Sequence, residues 1–523
     1  MTALQNTNFT EQLVSSIKWV LPEIALVGVA CLLFTLAAFG LKRSAASVLA
    51  LLGLVGAGAL AVFYPDQLGR FEPAYSSIDP TGAAGFLRWF ALVAGLVYLL
   101  LNWHEAGTET PSEYFACVLV MVAGLSVLGR SNDLVTMFLA LEMLSIPTYV
   151  LLYLPVTSKL GQESAIKYFM LSVLSSGLLL FGFSYLFGLS GSTNLAVVVS
   201  ALGAATQSGS TSPLALVAAI FVIAGLGFRL AAVPFHFYAP DVYEGGPTGV
   251  VAQLALVPKV AGFVALAKVF GLLGLHEHGL PFDVQHTLIP LTLWVVAVVT
   301  MCLGNLMALL QDQLKRIFAY SGIANSGYML IGLLVAMTQP KAGANHSGMD
   351  VLFFYLVVYG LMTVGAFAIL AHLKAGGKQV TTVDDLAGLG KSNPFAAFLM
   401  AVFFFSMIGL PLTAGFFGKL NLFFSAFDVP TGTKMRSMFQ IIAVILAINA
   451  AVAAVYYLRV IGAMFLRSPL KPNEPTRWSF PFVAALLCGL GTVAIGMYPK
   501  PLLDITTLAA PTPTLPVKPA ANP

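Results

Sequence analysis

The chain has 523 residues, 58% of them hydrophobic and 9% charged, with a formal net charge of +4 at pH 7. A soluble domain carries about 25% charged residues, so this composition excludes one, and the scattered basic residues exclude a nucleic-acid footprint. Apolar runs of about twenty residues that are continuous rather than alternating exclude a transmembrane β-barrel, which leaves an all-α polytopic membrane protein.

The amino-terminal stretch MTALQNTNFTEQLVSSIKWV lacks the basic start of a secretory signal and the arginine-rich character of a transit peptide, so the first helix is expected to direct insertion. Breaking the chain at charge clusters and Pro/Gly-rich stretches predicts about fourteen spans. They lie at about 20–40, 45–64, 82–102, 114–129, 133–154, 165–190, 214–237, 248–272, 287–310, 317–337, 350–373, 395–427, 438–466 and 479–498. The expected organisation is a three-helix segment at about 1–112, five-helix units at about 113–274 and 285–467, a last span within about 478–500, and a disordered tail over about 501–523. Basic residues such as Lys42, Lys159, Lys315 and Arg467 favour the connections after odd-numbered spans. Arg70, Arg88, Arg130 and Lys268 are assigned to the opposite loops. This bias places both termini outside, although the acidic connection HEAGTETPSE then lies on the cytoplasmic side. Cys31, Cys117, Cys302 and Cys488 lie far apart in apolar segments and read as small core residues, with no metal, haem or iron–sulfur ligand spacing.

Four cations fall inside spans: Arg229, Lys259, Lys419 and Arg459. Arg459 is near enough to its helix end to snorkel to the interface. Glu142, in FLALEMLSIPTYVLL, is the one clearly central acid, and Glu23 lies near the start of the first span. A carboxylate at the bilayer centre costs about 2.5–3.5 kcal/mol on insertion scales, so intramembrane ionisable groups are functional candidates by default. The competing reading is a set of ion pairs that only fixes helix packing. GAGALA at 56–61 fits a nucleotide-binding pattern, but within an apolar span it is helix packing by small residues.

Two of the helices carrying these charges look broken. In AGLGFRLAAVPFHFYAP, Pro234 follows Arg229 by five residues, and Gly225 and Gly227 precede it. Span 12 would reach roughly 50 Å as one helix, and MIGLPLTAGFFGK interrupts it with Gly409, Pro411 and Gly415 before Lys419. Pro258 adjoins Lys259 and Pro147 follows Glu142. Such defects persist in a membrane only where protein buries them or water fills the space. The broken spans 7 and 12 lie five spans apart. This predicts a repeated unit, spans 4–8 and 9–13, inverted because five is odd.

FLALEMLSIPTYVL, GFRLAAVPFHFYAPDVYEG, VPKVAG, QDQLKRIFAYSGIANSGYML and GLPLTAGFFGKLNLF occur in that order. Together they closely resemble the antiporter-like membrane subunits of respiratory complex I, NADH:quinone oxidoreductase. Fourteen spans without a long lateral helix look most like the subunit N branch, the counterpart of mitochondrial subunit 2. The resemblance covers about residues 20 to 500 and implies a proton-translocating subunit with a central polar axis, coupled to quinone reduction in other subunits. It implies proton-path roles for Glu142, Arg229, Lys259 and Lys419. It also implies no cofactor in this chain, with FMN, iron–sulfur clusters and quinone in partner subunits. The implied partners are other membrane subunits, including further antiporter-like ones, peripheral redox subunits and the lipid bilayer. The expected location is the bacterial inner membrane, with a thylakoid membrane as the alternative. A multi-subunit cation/proton antiporter or a related membrane-bound hydrogenase is the alternative assembly. Two positions depart from the family pattern: Arg229 stands where lysine is usual, and Asn325 where histidine is common. Arginine does not release its proton, so Arg229 is expected to be a fixed countercharge to Glu142. Asn325 cannot titrate, which leaves the span 10 relay to water and to Ser321 and Ser326. His236, beside Pro234, is a candidate gate.

Overall fold

The computed structural model describes residues 17–64, 78, 82–103, 110–154, 158–207, 212–273, 288–338, 348–375, 378–429, 435–469 and 479–510. Its amino-terminal helices are α1 (Leu21–Ala37), α2 (Arg43–Phe63), α3 (Gly82–Asn102), α4 (Pro111–Arg130), α5 (Leu134–Tyr153) and α6 (Lys159–Ser190). The middle of the chain forms α7 (Leu195–Gln207), α8 (Pro213–Leu230), α9 (Ala239–Gly245), α10 (Thr248–Val269), α11 (Leu288–Leu309), α12 (Leu314–Thr338) and α13 (Gly348–His372). The remainder forms α14 (Leu389–Ser392), α15 (Pro394–Ile408), α16 (Ala414–Phe427), α17 (Arg436–Leu466), α18 (Phe480–Met497) and α19 (Lys500–Ala509). A two-residue antiparallel pairing of Lys374–Ala375 with Lys378–Gln379 is the only β-ladder of named strands among the described residues.

Helix starts follow local chemistry. Proline in the first turn of α1, α4, α8 and α15 costs nothing where amides have no helical partner. Asp133 caps α5 by accepting the amides of Val135 and Thr136. Twelve of the described helices are long and apolar enough to cross a membrane, with a thirteenth if one sharply bent pair counts as a span. The predicted first span is 17 residues, just too short for that count, and the predicted twelfth is split between α15 and α16. Nearly all residues of α10, α12 and α13 are buried by neighbouring helices, so these three form the centre. The outer helices turn large apolar side chains outward, among them Leu52, Val55, Phe169, Met170, Ile448 and Val455. That arrangement is stable in hydrocarbon and unfavourable in water.

Both expected breaks exist. Helix α8 stops at Leu230, four residues before Pro234, because Ala231 turns left-handed (φ 52°) and its amide reaches back to Phe228. Helix α15 stops at Ile408, where Gly409 takes φ +91°. The chain restarts at Ala414, and Gly415 lies so close to α15 that a Cβ there would sit 1.8 Å from the Ser406 carbonyl oxygen.

Several expectations are corrected. The segment beyond residue 501 is not disordered throughout: α19 runs to Ala509 and packs against α3 and α13, while residues 511–523 lie outside the described residues. Arg88, Arg130 and Lys268 are not loop residues but are buried within helices. Glu23, from distant α1, receives Arg88 at 2.9 Å and Arg130 at 3.5 Å, and the Ser126 hydroxyl donates to it. Lys268 donates to the Ser131 carbonyl at 2.9 Å. Cys31 is exposed rather than a core residue, whereas Cys117 and Cys488 are buried. Arg459, donating to the Gln311 carbonyl and 3.4 Å from Asp312, reaches the helix ends as a snorkelling side chain would.

Candidate functional site

Glu142, Arg229, Lys259 and Lys419 do not meet in one cluster; they occupy successive positions, each beside a helix break or a proline. Glu142 on α5 accepts the Ser176 hydroxyl of α6 at 2.7 Å and lies 3.3 Å from Arg229 Nη2. Arg229, in the last turn of α8, also donates to Ser145 Oγ at 2.8 Å and to the Leu141 carbonyl at 3.2 Å. The Arg229 side chain is 4% exposed and that of Glu142 20%, so the arginine is the more deeply buried member of the pair.

The stop at Leu230 leaves a carbonyl with no helical donor. Ser326 Oγ donates to it at 2.6 Å, and Lys259 Nζ lies 3.4 Å away. Lys259 donates chiefly to Ser326 Oγ (2.6 Å) and the Gly322 carbonyl (2.7 Å). Its ammonium thus sits at the carboxyl end of the α8 half-helix, where the helix dipole favours positive charge. Lys419 repeats the arrangement at the other break. Its Nζ donates to the carbonyls of Met407 (2.5 Å) and Ile408 (3.2 Å), the last of α15, and stands 5.2 Å from the centre of the Tyr328 ring. Among the described residues no carboxylate pairs with either lysine. Both are held by neutral acceptors, so no partner locks either charge state.

Helix α12 bridges the two lysines. Gly322 and Ser326 face Lys259, and Tyr328 faces Lys419. Between them Asn325 donates to the Ser321 carbonyl at 2.8 Å and accepts Tyr355 Oη at 2.6 Å, while Ser321 Oγ bonds Tyr457 Oη. Asn305 donates to Tyr328 Oη at 2.8 Å and to Asn449 Oδ1 at 3.1 Å. Asn325, Ser321 and Ser326 therefore lie on α12 between the residues that face the two lysines. His236 does not: it sits in the turn between α8 and α9, and its carbonyl accepts Ala239. Ser145, Ser176, Asn305, Tyr328, Tyr355 and Tyr457 were not anticipated. Their one sequence signal is a hydroxyl or amide within an apolar run, and such residues are common in membrane helices.

A second charged group clamps α9 at one face. Asp241 lies 2.8 Å from Lys167 of α6 and 2.9 Å from Arg316 of α12, which also reaches Glu244 at 2.8 Å. Burial raises the Asp241 carboxyl, but hydrogen bonds and charge from Lys167 and Arg316 outweigh it and hold the group below the usual carboxylate range. Stability from such a group is present above its unfolded pKa, about 3.9, and is lost as pH falls through the lower folded value. The clamp is therefore expected to hold unchanged from about pH 5 to 8 and to open only in stronger acid. Asp241→Asn should weaken it throughout that range, but by about 1 kcal/mol or less, because Asp241 is 39% exposed. Thermal midpoints of the purified assembly across pH check both statements.

A family profile described as NADH:quinone oxidoreductase/Mrp antiporter, TM matches residues 131–447. The chain is 35% identical over 505 residues to NADH-quinone oxidoreductase subunit N 1 of Solibacter usitatus, covering 94% of this chain and 96% of that one. It is 29% identical to a chain of respiratory complex I from Thermus thermophilus, with a TM-score of 0.73 over 92% of this chain and 98% of the other. A chain of the Mrp complex from Dietzia shares the fold at TM-score 0.76 and 20% identity, covering 95% and 97%.

Proposed function

The chain belongs to the NADH:quinone oxidoreductase/Mrp antiporter transmembrane family, with relatives of the subunit N type, and from that premise we propose that it is a proton-translocating membrane subunit of such an oxidoreductase. Protons move along the row Glu142, Lys259, Lys419, with Arg229 as a fixed countercharge. Quinone reduction and its electron carriers, FMN and iron–sulfur clusters, belong to partner subunits. The neighbours in the membrane are further antiporter-like subunits, and the membrane is the bacterial inner one. The two broken helices represent the repeated, inverted five-helix unit.

One observation carries the reading: two buried lysines, each without an acidic partner among the described residues, sit on the freed carbonyls of two separate helix ends and contact residues of the same helix, α12. A packing device would pair each lysine with a carboxylate, since a buried unpaired charge is costly. A lysine held by neutral groups can lose its proton and regain it without breaking an ion pair.

Two experiments test this. Purified gently from its own membrane, the subunit should bring flavin- and iron–sulfur-containing partners and NADH:quinone reductase activity; their absence would overturn the assignment in favour of a stand-alone antiporter. Arg229→Lys should retain pumping, because a lysine there still supplies positive charge to Glu142. Loss of pumping in a normally assembled Arg229→Lys complex, followed by dye quenching in vesicles, would show that Arg229 is more than a countercharge.

A further inference from the structure

Lys259 and Lys419 are both buried, and among the described residues neither has a carboxylate partner. Each faces the ring of one tyrosine instead. Lys259 Nζ lies over Tyr359 of α13, 5.7 Å from the ring centre, and Lys419 Nζ lies over Tyr328 of α12 at 5.2 Å. Both tyrosines are only 1% exposed, so water is kept from the rings. The two rings come from different helices and meet lysines of different helices, α10 and α16, so the same pairing arises twice in the packing.

The rings are fixed through their hydroxyls. Asn305 of α11 donates to Tyr328 Oη at 2.8 Å and is itself tied to the Met301 carbonyl at 3.0 Å. The Tyr359 hydroxyl bonds Thr363, one turn further along α13. Gly322 leaves room for the approach to Lys259. A Cβ there would stand 3.0 Å from Tyr359 Oη and 3.6 Å from Lys259 Nζ.

An aromatic face is the negative part of a quadrupole and attracts a cation within about 6 Å of its centre, most strongly where water is excluded. A carboxylate attracts the same cation, but removing one charge of a buried pair strands the other at high cost. The ring face differs because it carries no net charge, and its pull lapses when the ammonium becomes a neutral amine. It therefore favours a loaded lysine without leaving an unpaired charge behind when the proton departs. Glu142 and Arg229 show the contrast, since neutralising either one leaves the other uncompensated.

We propose that Tyr359 and Tyr328 are positioning residues whose ring faces stand in for counter-ions and set how firmly Lys259 and Lys419 hold their protons. The inference rests on the reading of both lysines as proton carriers. It assigns the stabilisation to the rings and leaves the hydroxyls the task of fixing them in place.

The test uses the whole assembled complex in vesicles, with proton uptake followed at matched NADH oxidation. Position 328 is changed by Tyr328→Leu, by Tyr328→Phe, and then to phenylalanines carrying one, two or three ring fluorines. Fluorine draws electron density from the ring face while hardly changing its size, so a role in packing alone would not respond to it. Lys419→Met and Lys259→Met are controls on the proton-carrier reading. Tyr328→Leu is expected to lower uptake several-fold, and Tyr328→Phe, which keeps the ring, to recover most of that loss. Each added fluorine should then lower uptake further at an unchanged thermal midpoint, because a lysine that holds its proton less firmly is loaded in fewer turnovers. The same series at position 359 should grade uptake through Lys259. Uptake that stays flat or rises across the fluorinated series, with the lysine variants impaired, would overturn the proposal and leave the proton-carrier reading intact. Normal uptake in the lysine variants would count against that reading instead. The fluorinated series preserves the ring's volume, so it decides the matter even where Tyr328→Leu fails to assemble.

Discussion

Lys259→Met is expected to abolish proton pumping while the complex still assembles. Methionine keeps most of the side-chain volume, and the Leu230 carbonyl retains its bond from Ser326 Oγ at 2.6 Å. The freed helix end therefore keeps a partner, and what disappears is the ammonium. Lys259→Arg sharpens the test. Arginine restores positive charge at the carboxyl end of α8 but does not give up its proton. If the site needs only charge, the arginine variant pumps; if it must release and regain a proton, both variants fail. The proposal requires both to fail, as measured by proton uptake in vesicles at matched NADH oxidation.

Glu142→Gln should have the second largest effect. Glutamine is nearly the same shape and can still accept from Ser176 and Arg229, so the local hydrogen bonds survive. The negative charge does not, and Arg229 is left as a buried cation facing neutral groups. Removing one member of a buried pair costs about 3–5 kcal/mol, less here because the Glu142 side chain is 20% exposed. The coupling to the rest of the row matters more. Two charges about 7 Å apart at an effective dielectric near 20 interact by roughly 2.4 kcal/mol, somewhat under two pK units. Under the proposal, a lysine at about that separation from Glu142 would feel the loss of its charge, and one several times farther would feel little of it, which suits a stepwise relay. Assembled Glu142→Gln complexes should oxidise NADH with little proton uptake; normal uptake would remove Glu142 from the path.

Much of this fold is legible in the sequence, because a bilayer demands continuous apolar runs and punishes charge within them. The break before Lys419 is spelled out by Gly409, Pro411 and Gly415. The break after Arg229 is legible only to within a few residues, since the chain turns at Ala231, which carries no turn signal, rather than at Pro234. Charges at span ends misled: Arg88, Arg130 and Lys268 read as loop residues because their acceptors, Glu23 and the Ser131 carbonyl, lie far away in sequence. Helix α19 escapes a search for spans because it is amphipathic and only 10 residues long, too short to cross a bilayer, and it docks on α3 and α13 instead.

The site divides the same way. Its charged members declare themselves, because each is costly in an apolar helix. The groups that join them do not, since a serine, tyrosine or asparagine in a membrane helix is cheap and common. Only the packing tells that Ser326 turns to Lys259 while Tyr328, two residues on, turns to Lys419. Asn325 shows the limit plainly. Its inability to titrate is legible from its chemistry, but its bond to Tyr355 requires the three-dimensional arrangement.

The most direct test is a density map of the assembled complex sharp enough to place ordered water. Protons cross such a row only if water spans the gaps between side chains. Waters strung from the Glu142–Arg229 pair past Lys259, along Ser326, Asn325 and Tyr355, to Lys419 are the predicted result. A dry apolar partition between the two lysines in every state of the working complex would contradict it.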